Sequence, residues 1–135
     1  MEPAVANTLL DTLIENSLQI LRAGFGMNWV ESTFFDIILL LRQENALKAP
    51  FLEKVRATFA KRDPGSLDVG TVPRELIELV AHELRWRELQ ELANKRIEQF
   101  FGGDTRLAVG DVAHSISKAY DDNWRDREFY QRYRG

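Results

Sequence analysis

Apolar residues in this chain recur at the spacing of helix turns, and nowhere do they alternate as a half-buried strand requires. That periodicity restricts the fold more than any other feature. Leu9, Leu10, Leu13, Ile14, Leu18 and Leu21 share one face, while Asp11, Glu15, Asn16 and Gln19 fall off it. The spacing predicts a first helix from about Ala4 to Leu21, stopped by Gly24 in a left-handed turn. A second helix is read from Trp29 to about Glu44, with Asn28 as N-cap and Glu31 completing a capping box. It is apolar on most sides, through Trp29, Val30, Phe34, Phe35 and the run Ile37 to Leu41. Such a helix is expected at the centre of a fold. Its polar stripe of Ser32, Asp36 and Gln43 is expected to face solvent, with Leu39 or Leu40 partly exposed beside it.

A third helix is predicted from Pro50 to about Arg62, with Phe51, Leu52, Val55 and Phe59 inward and Asp63-Pro64-Gly65-Ser66 as its stop. The fourth segment runs from Pro73 to Phe101. Its apolar register slips near Arg85-Trp86-Arg87, which marks a kink or a boundary between two helices, and Gly102-Gly103 ends it. A fifth is read from Thr105 to Tyr120, with Val109, Val112, Ala113, Ile116 and Tyr120 inward. Asp121 or Asp122 would cap a short last helix carrying Trp124, Phe129, Tyr130 and Tyr133. The expected fold is all-α: a single compact domain over residues 1–135, of five to six helices in an irregular bundle, with HEAT-like stacking of helix pairs as the alternative.

Several function classes fall away on composition. The chain has no cysteine, which removes disulfides, thiolate–zinc sites and cysteine nucleophiles. The longest apolar run, Ile37 to Leu41, is far short of the roughly 20 residues that span a bilayer. Met1-Glu2-Pro3-Ala4 lacks the basic start of a secretory leader, so a cytoplasmic protein without membrane contact is expected. A net charge of −3 disfavours a dedicated nucleic-acid binder. The charge is uneven. Residues 1–47 hold six acids against two bases, and residues 48–62 hold five bases against one acid.

No catalytic motif is complete. His82-Glu83-Leu84-Arg85-Trp86 begins like a zinc-protease helix, but Trp86 stands where the second histidine belongs. No Gly-x-Ser-x-Gly elbow surrounds Ser115 or Ser117, and neither Gly24-Phe25-Gly26 nor Gly102-Gly103 leads into a phosphate-loop Lys. Glu78 and His82 are four apart and Asp111 and His114 three apart, so packed helices would bring two carboxylates and two imidazoles together for a metal or small ligand. No cofactor is expected in the leading reading.

The C-terminal stretch Asp121 to Arg134 interleaves aromatics with arginines, the residue types enriched at binding hot spots. Its acids would repel phosphate. Glu83-Leu84-Arg85-Trp86, followed by Asp121-Asp122-Asn123-Trp124-Arg125-Asp126-Arg127-Glu128-Phe129-Tyr130, resembles small bacterial helical proteins of unassigned function. Those proteins carry an Arg-Trp helix and end in an acidic, aromatic segment. The resemblance covers residues 73–133 and implies a small bacterial protein, with no activity attached.

The expectation is therefore a non-enzymatic protein-binding module that covers a partner's surface, as a small inhibitor, immunity protein, antitoxin or adaptor does. Trp124, Arg125, Tyr130 and Arg132 are the expected contacts, with Lys54, Arg56 and Lys61 of the basic helix second. Self-association is the other use of such a surface. The alternatives are a metal- or small-ligand-dependent enzyme built on Glu78, His82, Asp111 and His114, and, behind it, a helical nucleic-acid binder.

Overall fold

The first helix, α1, forms over Pro3–Arg22, with proline in its first turn, where no helical N–H is needed. Ala6, Leu10, Ile14, Ser17 and Leu18 are its buried face. A computed structural model describes the chain from Met1 to Arg134; Gly135, part of the expected domain, lies outside the described residues. Gly24 takes the left-handed φ of +87° that turns the chain towards α2, Met27–Gln43. The expected capping box does not form, because Asn28 already lies inside α2 and Gly26 holds the cap position without a side-chain bond. A short 3₁₀ turn at Asn45–Leu47 leads into α3, Lys48–Phe59.

The register slip at Arg85 is a true boundary. Helix α4 spans Arg74–Leu84, Arg85 adopts a left-handed φ of 58°, and α5 resumes over Arg87–Phe101. The Arg85 side chain ties the break down through the carbonyls of His82 (2.7 Å) and Tyr120, and the Asp122 carboxylate (2.9 Å). The fifth predicted helix is shorter than read. Turns occupy residues 104–111, Val109 is exposed, and α6 covers only Val112–Ala119. The reason is local: Asp111 accepts from the Ala113 N–H at 2.9 Å, so the helix starts there. In place of a last α-helix stand two 3₁₀ turns, Arg125–Phe129 and Gln131–Tyr133.

Helix α1 packs on α2, α2 on α4, α4 on α6, α6 on α5, and α5 on α3, while the Asn45–Leu47 turn touches α1, α2 and α3. The bundle is all-α and irregular, with no strand among the described residues. Because α3 does not pair with α4, the helices do not stack as successive HEAT-like pairs. The central element is α4, not α2. Every residue from Leu76 to His82 is buried, because α4 is enclosed by α2, α6 and the C-terminal segment. Helix α2 keeps one side in solvent, with Trp29, Ser32, Asp36 and Leu39 exposed.

Candidate functional site

Two of the expected partner contacts are core residues. Trp124 is 6% and Tyr130 2% exposed, so neither ring is offered to a partner. Their aromatic mass is better buried than left in water, and α4 supplies the surface. Trp124 stacks on His82 with ring centroids 4.8 Å apart, and Tyr130 meets Phe35 edge-on at 5.8 Å. Arg132 does reach the surface and lies over the Phe35 ring at 4.6 Å. Glu31, expected as half of a capping box, accepts instead from the backbone N–H groups of Gln131 (2.9 Å) and Arg132 (3.1 Å).

His82 also serves this docking. Its Nδ1 lies 2.7 Å from the Ala119 carbonyl, and its Nε2 lies 2.6 Å from an Arg127 guanidinium nitrogen. A carbonyl only accepts and a guanidinium only donates, so the ring is the neutral tautomer protonated on Nδ1. Burial lowers its pKa, and Arg127 and Arg85 lower it further.

Asp111 is held by Arg96, whose guanidinium makes two bonds of 2.9 Å to the carboxylate. Arg96 also donates to the carbonyls of Phe59 (2.7 Å), Lys61 (2.6 Å) and Arg62 (3.2 Å), closing the end of α3. Burial pushes the Asp111 carboxyl up, but Arg96 and the Ala113 N–H outweigh it and hold it below its usual range. The expected convergence of Glu78, His82, Asp111 and His114 is therefore not built. Both His82 nitrogens and the Asp111 carboxylate have protein partners, and among the described residues no three of His, Asp and Glu gather to hold a metal ion.

The basic third helix is paired off. Lys54 meets Asp11 of α1, Lys48 meets Glu88 of α5 at 2.9 Å, Lys61 meets Asp68 at 3.5 Å, and Arg56 meets Glu53 in its own helix. Three acids from outside the stretch and Glu53 within it take up four of its five bases, so only Arg62 of residues 48–62 is without an acid partner among the described residues and no open basic patch forms.

Glu78 behaves differently. It lines a cleft of 770 Å³ between α4, α6 and the C-terminal segment, with Arg74, Glu75, Ser115, Lys118, Asp121, Arg125 and Asp126 around it. Burial pushes its carboxyl up to about 7; Arg74, 3.8 Å away, pulls it down, and Asp126 and Glu75 push it further up. No family model, no curated protein and no solved structure matches this chain.

One surface feature escaped the periodicity argument. Phe25 and Trp29 stack at 5.0 Å across the α1–α2 turn while 48% and 62% exposed. Phe129 is also exposed, and Met27, between the stacked pair in sequence, lines a smaller notch together with Phe129. Trp29 continues the apolar run of α2, so spacing alone does not set it apart from the buried residues that follow. What the sequence did signal is a tryptophan in the first turn after a Gly-Phe-Gly loop, ahead of the helix's packing partners.

Proposed function

We propose that this protein is a non-enzymatic binding module that covers a partner's surface, in the manner of a small bacterial inhibitor, immunity protein, antitoxin or adaptor. The observation that carries the reading is the solvent-exposed Phe25–Trp29 pair. An aromatic pair left about half in water forfeits roughly half of the ~1.5–3 kcal/mol that full burial gives each side chain, which a partner would recover. Trp29 and Phe25 replace Trp124 and Tyr130 as the anchors, and Arg132 and Arg125 stay on the surface as polar contacts. Among the described residues no helix is long and apolar enough to cross a membrane.

The test is affinity capture from native lysate with the tagged chain, run beside Phe25→Ala/Trp29→Ala. A stoichiometric partner that the double variant loses, with its unfolding curve unchanged, supports the reading. A partner retained undiminished overturns the surface, and a folded chain that captures nothing and remains monomeric overturns the module.

One observation favours a second reading, a small-ligand enzyme. A buried carboxyl that titrates near neutrality next to the Ser115 hydroxyl has the pKa of a general base. Of the four residues expected for that role, His82 and Asp111 are taken up by protein partners, and Glu78 is the one that lines the cleft.

A further inference from the structure

Glu75, Glu78 and Asp126 face a second opening besides the larger cleft. A notch of 240 Å³ is walled by these three carboxylates and by Met27, Trp124, Phe129 and Tyr130, and none of the seven lining residues is basic. Its carboxylates are poorly satisfied from within. The Glu78 side chain is 8% exposed, and its ion pair with Arg74 is long, at 3.8 Å. The buried Oε2 of Glu75 has no hydrogen-bond partner. Buried carboxylates short of donors are relieved by an incoming cation that brings its own N–H groups.

We propose that the notch receives the arginine or lysine side chain of a basic segment of the partner protein, an inference that rests on the binding-module reading. Charge complementarity selects the occupant. Three acids and no base line the opening, and the exposed Phe129 ring at its edge gives a cation the aromatic surface it favours. Arginine fits best, because its planar fork binds a carboxylate in two places and its face stacks on rings. The volume suits one side chain and its stem, not a whole folded element. The acids are not gathered closely enough to coordinate a metal ion, which leaves room for an organic cation. Phe25 and Trp29, flanking Met27 in sequence, would meet apolar neighbours of that side chain. Charge facing Glu78 comes from Arg74 and Glu75 on α4 and from Asp126 on the C-terminal segment, with Lys118 on α6 and Asp121 and Arg125 beyond it around the shared cleft.

The experiment titrates the full chain with N-acetyl-arginine amide and its neutral analogue N-acetyl-citrulline amide, following the Trp124 indole N–H by NMR. The arginine probe is expected to bind at least tenfold more tightly than the citrulline probe. Its affinity should fall about tenfold from pH 8 to pH 6, as Glu78 takes up a proton through about 7. Glu78→Gln, which keeps the shape and loses the charge, should flatten that pH dependence, and Asp126→Asn should weaken binding at every pH. Equal binding of the two probes, or no binding of either, overturns the proposal. The captured partner gives a separate readout. Asp126→Asn should weaken the partner too. If it weakens only the probe, the notch serves a free organic cation and the proposal fails. If the partner stays fully bound through Phe25 and Trp29, the notch assignment fails while the binding-module reading stands.

Discussion

Arg96 shows what a single charged side chain does when helices close around it. It is 3% exposed, yet Asp111 and three backbone carbonyls satisfy its guanidinium and lock α3, α5 and the start of α6 together. Asp111→Ala would leave that cation buried and unpaired. The expected loss is about 3–5 kcal/mol, read by urea denaturation; a loss below 1 kcal/mol would show that water reaches Arg96. Glu78 works in the opposite sense. Its pKa rises from 4.5 unfolded to about 7 folded, so the folded state holds the extra proton between those values. Its contribution is complete below pH 4.5 and is lost as pH rises through 7. The shift is worth about 3 kcal/mol. Glu78→Gln should therefore match the native chain at pH 4 and exceed it by about that amount at pH 8. Equal stability of the two proteins at both pH values would contradict the burial of this charge.

The C-terminal segment is an element held by side chains. Its two 3₁₀ turns contribute few backbone bonds, and its hold on α4 comes from Trp124, Tyr130 and the His82–Arg127 bond. Trp124→Ala should cost about 3–5 kcal/mol, because a large cavity opens beside His82. Trp29→Ala, on an open face, should change stability by no more than about 0.5 kcal/mol while abolishing capture of the partner. Thermal melts of the two variants separate core from surface. Acid should loosen the same segment. Burial holds the His82 pKa below the 6.5 of a free imidazole, so its contribution is present above pH 6.5 and is lost as pH falls through the folded value. Protonation would turn an N–H towards Arg127. Amide exchange over residues 125–134, corrected for intrinsic rate, should rise between pH 7 and pH 5 relative to α4; parallel change in both would sink this account.

At the scale of the whole molecule, the acidic notch sets three carboxylates and no base along one wall. Association with a basic partner should therefore slow as salt rises, through the on-rate, because screening acts on the approach. Stopped-flow rates at two ionic strengths check this, and a salt-independent rate would point to Phe25 and Trp29 alone. Helix positions were legible in the sequence because an amphipathic helix writes its buried face at a fixed local period. The break at Arg85 and the turn at Gly24 were equally local. Residues 104–111 look helical in sequence because Val109 and Val112 keep helical spacing, while the Asp111 cap starts the helix late. The site was hardly legible. Periodicity reports that a residue has an apolar face but not which neighbour arrives to cover it, so Trp29 and Trp124 looked alike and fell on opposite sides of the surface. Sequence by itself determined an all-α chain, its helix faces and the absence of cysteine chemistry, since each follows from residue type and local spacing. Tertiary structure alone decided that α4 is the centre, that Arg96 takes Asp111 from any ligand set, and that Glu75, Glu78 and Asp126 share one notch. Those outcomes depend on contacts between residues 15 to more than 50 positions apart, which the local spacing of side chains does not encode.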